Sequence, residues 1–229
     1  MAVIFDFGGT LDADGTRWSL RFHAAYRKAG GRLGPERFEP LFRESDRQLA
    51  SLPGIRQAGF RATLEAQSVL LCRLLAQGAE TVPPDTLAAP VHAAAVAVAA
   101  RNRTLLARLA GDHRLGIVSN YSGNLAVCLE ELDLLQLFDV VIDSANVRVR
   151  KPDPRIFRLA LEPLAAEPAA TWMVGDNPDT DLVPAAALGL RTCWLAPPED
   201  RRAPPPGIPS ARIASLSELA GVLDVPCTV

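Results

Sequence analysis

Lysine is almost missing from this chain: of 24 basic residues only Lys28 and Lys151 are lysines, and the rest are arginines. Cysteine is scarce as well. Cys72, Cys128, Cys193 and Cys227 show no CxxC or Cys/His spacing, which argues against a zinc site or a disulfide framework and leaves buried or incidental thiols in a reducing cytoplasm as the expectation. No stretch reaches the roughly 18 apolar residues of a membrane span, and no basic segment precedes the first apolar residues. A cytoplasmic location is therefore expected, with no membrane partner. The 24 basic against 26 acidic residues give a formal net charge of -2, so no bulk field recruits nucleic acid. What remains is ordinary globular material: 229 residues, 48% hydrophobic and 22% charged, long enough to bury a sizeable core.

Short β-like runs alternate with helical patterns along most of the chain. The runs are 2–6 (AVIFD), 114–118 (RLGIV), 139–143 (DVVID), 171–175 (TWMVG), 191–195 (RTCWL) and a weaker one at 212–215. Helical patterns fall at 124–136, 154–164 and 180–188, the last closed by Gly189 as a C-terminal cap. Such alternation predicts an α/β fold, a doubly wound and mostly parallel sheet. From about 17 to 110 the alternation stops. Phe38, Leu41 and Phe42 fall at i, i+3, i+4, Val69 to Leu75 is Leu-rich, and 87–110 is rich in Ala and Leu. This stretch reads as a helical cap inserted after the first strand, with prolines 83, 84 and 90 near the joint. The expected division is a core of 1–16 plus 97–229 and a cap of 17–96, the last helix, about 103–110, returning to the core. The segment 197–209 (PPEDRRAPPPGIP) reads as a surface loop.

In an open parallel sheet, ligands sit past the carboxyl ends of the strands. Asp6 and Thr10 follow the first strand, Ser119 and Asn120 the second, Lys151 comes near the third, and Asp176 and Asp181 follow the fourth. On one rim these would place three carboxylates, hydroxyls and a lysine, the set that magnesium-assisted phosphoryl transfer needs. A phosphate monoester repels an anionic nucleophile, and Mg²⁺ with oxygen ligands neutralises both. Asp6 and Asp176 supply its negative charge, while Lys151 and Ser119 would hold the equatorial phosphoryl oxygens.

The segments FDFGGTL (5–11), IVSN (117–120), RKPDPRIF (150–157) and VGDNPDTD (174–181) resemble, in order and spacing, the four motifs of the haloacid dehalogenase (HAD) superfamily. The helical insert matches the position of that family's C1 cap. The resemblance implies a hydrolase with a Rossmann-like core that uses Mg²⁺ on a small phosphorylated substrate. Asp6 would be the nucleophile that forms an aspartyl-phosphate, and Thr10, Ser119, Asn120 and Lys151 would bind phosphate, Lys151 being catalytic too. Asp6, Asp176, Asp181 and the backbone carbonyl of Gly8 would bind the metal. One position departs from the pattern: phosphatases of the family carry at position 8 a second aspartate that protonates the leaving oxygen, and this chain has glycine.

The acidic string DADGT at 12–16 follows no apolar strand, so Asp12 and Asp14 read as turn residues of the first linker, or as one substitute acid. Arg17, Trp18, Arg21, His23 and Tyr26 read either as a substrate-facing cluster or as a solvated helix face around a buried aromatic. Three functions stay in competition: a phosphatase; a dehalogenase- or phosphonatase-like enzyme, the latter with Lys28 as its cap lysine; and a phosphate-binding protein with an impaired site.

Overall fold

A computed structural model describes residues 1–223. Cys227 lies outside the described residues. Six parallel strands make one sheet in the order β3-β2-β1-β4-β5-β6: β1 (Ala2–Phe5), β2 (Arg114–Ser119), β3 (Val140–Asp143), β4 (Thr171–Gly175), β5 (Arg191–Leu195) and β6 (Ala211–Ile213). Every expected strand is present, its ends shifted by two residues or fewer. The apolar run AVIF takes the centre because it is buried on every residue: Ile4 lies between Gly116 and Met173, and Phe5 between Ile117 and Val174. From β1 the chain winds outward through β2 and β3, then crosses back to β4 on the opposite side of β1. That reversal opens a crevice past the carboxyl ends of β1 and β4, where a doubly wound sheet binds its ligand.

Successive residues of each strand face opposite layers. Val3, Phe5, Leu115, Ile117, Trp172 and Val174 belong to one core, and Ile4, Val118, Ile142 and Met173 to a second that α7 (Arg155–Leu161) covers through Ile156, Phe157 and Ala160. The short helices α5 (Leu125–Glu131), α6 (Ser144–Val147), α8 (Val183–Ala187) and α9 (Leu219–Leu223) complete the layers. All three expected core helices are shorter than the pattern predicts, 154–164 keeping only Arg155–Leu161. The 124–136 pattern breaks where Asp133 takes a positive φ of 56°, and 180–188 becomes a wide turn over Pro178–Leu182 followed by α8. Gly189, at φ 87°, ends that segment as expected.

Between β1 and β2 lie four helices: α1 (Trp18–Lys28), α2 (Pro35–Leu49), α3 (Phe60–Gln77) and α4 (Asp85–Asp112). The expected break between cap and core at 96/97 falls inside α4, which runs unbroken for 28 residues. Its Ala-rich sequence has high helix propensity throughout, and the helix continues through Pro90 in its second turn. The N-terminal half of α4 packs in the cap through Leu87 and Val91, while Leu106 and Leu109 of its C-terminal half join the sheet's core. Cap and core therefore share one continuous apolar cluster. Among the described residues no helix is long and apolar enough to cross a membrane.

Candidate active site

The backbone N–H of Asp6 donates to Val174 O at 2.9 Å, the last rung of the central ladder, so the first residue beyond β1 delivers its carboxylate into the crevice. The chain then coils tightly over Phe7–Leu11. Gly9 makes that possible: its φ is +96°, and a Cβ there would lie 2.9 Å from Asp176 Cγ, so any side chain would be strained and would displace the acid opposite. Gly175 plays a similar part at the end of β4, where a Cβ would meet Asp181 Oδ2 at 2.4 Å.

Lys151, buried to 4% exposure, is the hub. Its Nζ lies 2.6 Å from Asp6 Oδ1 and 2.7 Å from Asp181 Oδ1. Ser119 Oγ donates to the same Asp6 Oδ1 at 3.0 Å. Thr10 Oγ1 stands 3.4 Å from both Asp6 Oδ2 and Asp176 Oδ1. Asp6 Oδ1 is thus held by two donors, leaving Oδ2 with only a long contact. Six sequence-predicted residues, Asp6, Thr10, Ser119, Lys151, Asp176 and Asp181, come together here. Asn120 serves the site indirectly, since its side chain accepts from Lys151 N at 2.9 Å and donates to Lys151 O at 3.0 Å. The amide clasps the lysine's backbone, so Asn120 helps to position Lys151.

The electrostatics show what the site lacks. Asp6, Asp176 and Asp181 each direct one oxygen into a cluster within 4.8 Å, and against these three carboxylates stands one ammonium, that of Lys151. Burial, then Asp181 and Asp6, push the Asp176 carboxyl well above its usual range. Burial raises Asp181 to about 6, with Lys151 opposing and Asp6 adding to the rise. Burial lowers the Lys151 ammonium, but Asp181 and Asp6 more than offset it and its net shift is upward. An all-oxygen donor set with excess negative charge fits a hard divalent cation such as Mg²⁺. Asp6, Asp176, Asp181 and the Gly8 carbonyl are the residues that would hold it.

Asp12 opens the turn expected at 12–15, with its side chain turned into the protein. It is fully buried, its Oδ1 accepting from Gly9 N at 2.7 Å and its Oδ2 from Trp18 Nε1 at 2.7 Å and Arg21 Nη1 at 2.8 Å. Burial raises its carboxyl, and Arg21 and the Gly9 N–H pull it down in part. Since Arg21 Nη2 also donates to Val91 O at 2.8 Å, this acid ties the loop after β1 to α1 and α4. Asp12→Ala would strand the Arg21 charge and two N–H groups, and should cost about 3–5 kcal/mol in a denaturant titration. Asp14 pairs with Arg101 of α4.

The cap cluster at 17–26 divides. Arg17 and Trp18 line the crevice. Arg21 is committed to Asp12, His23 Nε2 meets Leu33 O at 2.9 Å, and Tyr26 is a buried post whose hydroxyl accepts from Arg32 N and Leu33 N and donates to Glu80 at 2.6 Å. Lys28 is exposed on the last turn of α1, away from the crevice lining. The crevice, about 800 Å³, runs from Asp6 and Asp176 to Arg43, Arg47, Arg148 and Arg150, with Tyr121 on one wall.

Sequence reasoning missed the Asn120 clasp, the buried Asp12 knot, and Arg202. This arginine of the Pro-rich loop donates to Asp176 O at 2.8 Å while its guanidinium faces the Trp194 ring at 5.8 Å. The arginine content of that loop was its one available signal.

A haloacid dehalogenase-like hydrolase family model matches residues 1–189. The pyrimidine 5'-nucleotidase YjjG of Escherichia coli (strain K12) is 37% identical over 124 residues, 52% of this chain and 54% of that one. A phosphoserine phosphatase of Thermus thermophilus is 39% identical over 85 residues, 36% of this chain and 32% of that one. The alignments thus span about half or less of these curated relatives. Among solved structures, a dehalogenase with an intermediate complex superimposes with a TM-score of 0.67 at 19% identity, covering 98% of this chain and 97% of that one. The putative HAD-hydrolase YfnB of Bacillus subtilis, bound to magnesium, gives 0.58 at 17%, covering 98% of both. Sheet order, motif positions and the family match agree: this chain belongs to the haloacid dehalogenase-like hydrolases.

Proposed function

We propose that this hydrolase is a Mg²⁺-dependent phosphatase that acts on a small phosphorylated metabolite through an aspartyl-phosphate at Asp6. The observation that carries the reading is the cluster of three buried carboxylates around a single lysine. A dehalogenase has no use for a cation, and one buried acid suffices to activate the water that cleaves its ester intermediate, whereas phosphoryl transfer needs positive charge where a pair of acids would hold it. Bound there, Mg²⁺ would supply the charge that lets a carboxylate approach a phosphate anion. In this reading Asp6 Oδ2 attacks phosphorus, Lys151 and Ser119 keep Oδ1 turned away, the third N–H of Lys151 is offered to a phosphoryl oxygen, and Thr10 steadies Oδ2. Arginines 17, 43, 47, 148 and 150 line the crevice beside Glu39 and Asp46; Arg43 and Arg47 pair with Glu39 and Glu44, and the other three favour an anionic substrate. The names of the nucleotidase and phosphoserine phosphatase relatives support the same class.

The test is a panel of phosphate esters, acyl phosphates and 2-haloacids assayed with the purified chain. Phosphate release that needs Mg²⁺ and stops with EDTA is expected. Halide release that ignores EDTA would replace the phosphatase by the dehalogenase reading, and no release from any compound would point to the impaired, phosphate-binding protein.

A further inference from the structure

The backbone at Gly8 would accept any L-residue, with φ -75° and ψ 111°, so glycine is not required there by conformation. What stands above it is an indole. A Cβ on Gly8 would lie 3.5 Å from Trp18 Nε1, 3.7 Å from Cε2 and 3.9 Å from Cδ1. A methyl group just fits, whereas a carboxymethyl group extended in that direction would run into the ring. The indole is fixed in this position. Its N–H donates to the buried Asp12, and its ring packs against Phe22, Phe60 and Tyr121 with centroids 6.4, 6.1 and 6.0 Å away. Its one polar hydrogen is therefore used up inside the protein. Other donors near the nucleophile are also committed: Ser119 and Lys151 to Asp6, and Tyr121, whose hydroxyl donates to Cys128 Sγ at 3.6 Å.

We infer that Trp18 occupies the place of the leaving-group acid, and that the substrates are phosphorylated compounds whose leaving group departs as a stable anion: acyl, enol or aryl phosphates rather than phosphates of simple alcohols. This rests on the phosphatase reading and narrows its substrate class. In the first step a bond forms between Asp6 Oδ2 and phosphorus as the bond from phosphorus to the leaving oxygen breaks. That oxygen takes the bonding pair and leaves as a carboxylate, enolate or phenolate, requiring no proton. Water then attacks phosphorus, the Asp6 carboxylate is released, and both protons of the water leave on the product as dihydrogen phosphate. Without a general acid the loss, about 10²–10⁴-fold, falls mainly on basic leaving groups.

The experiment is kcat/KM for a series of substituted phenyl phosphates with Mg²⁺. In the wild-type chain it should fall steeply, about tenfold for each unit of phenol pKa, as an unassisted departure requires. Gly8→Asp alone should keep the steep dependence, and Gly8→Asp with Trp18→Ala should flatten it, thermal melts confirming that both variants fold. A shallow wild-type dependence would overturn the inference while leaving the phosphatase reading intact. If Asp46→Asn then made that dependence steep, the acid would be Asp46, a cap residue of the same crevice. Flattening by Gly8→Asp alone would show that Trp18 is no obstacle and overturn the inference too. No release from any phenyl phosphate, with release from alkyl phosphates, would overturn the substrate class. No release from either would remove the phosphatase reading beneath it.

Discussion

Asp6→Asn is expected to abolish phosphate release and yet leave the metal-free protein at least as stable as the wild type. The rate should drop by about 10⁴-fold or more, as it does when a covalent nucleophile is removed. Acid-quenched wild type should carry phosphate bound to protein, and the variant none. Stability should move differently because of the charge balance. Asp6 raises the carboxyl groups of both Asp176 and Asp181 through charge repulsion, so neutralising it relieves the pair. Lys151 keeps Asp181 at 2.7 Å, and an amide oxygen at position 6 can still accept from Ser119. A variant that melts at the wild-type temperature or above but releases no phosphate separates chemistry from folding. Residual activity near that of the wild type would take the nucleophile away from the end of β1.

Much of this site was legible because the sheet makes it so. Residues directly after β1, β2 and β4 must end on one rim, and the apolar runs AVIF, LGIV and TWMV marked those strand ends clearly. Lys151 stood out in a chain with two lysines. Harder to read were residues whose role depends on distant partners. Asp12 read as a turn residue and is one, but nothing local shows that Trp18 and Arg21, six and nine positions on, converge on it. Asn120 sits beside Ser119 at the end of β2, but its amide is drawn to a backbone 31 residues away. The expected boundary at 96/97 lies inside α4, which carries no local stop signal there, so a helix that serves two layers reads as two helices. Gly8 was visible as a departure, while the indole that covers it belongs to the next helix and was placed there only by tertiary packing.

The second large effect joins metal and pH. With Mg²⁺ chelated, the acidic cluster should weaken the fold as pH rises from about 4 to about 6, and Mg²⁺ should counter that weakening. Asp181 has a folded value near 6 against 3.8 for the ordinary carboxyl, because burial penalises its charged form. The folded chain then binds this proton more tightly than the unfolded chain does. Its contribution is fully present below pH 3.8 and is lost as pH climbs through 6, a swing of about 3 kcal/mol. Asp176, raised as well, acts in the same direction. A divalent cation binds only the deprotonated acids, so its stabilisation grows over the same interval, reaching about 2.7 kcal/mol at a hundredfold excess over Kd. For a chain of this length that is roughly 5–10 °C in melting temperature. The readout is the difference between melting temperatures in Mg²⁺ and in EDTA, since the protein's other carboxyl groups, Glu44 and Asp200 among those lowered by arginine partners, cancel from it. That difference should be small at pH 4, reach its full size above pH 6, and vanish at every pH in Asp176→Asn. A difference of equal size at pH 4 and pH 7, or one that survives Asp176→Asn, would place the cation outside this cluster.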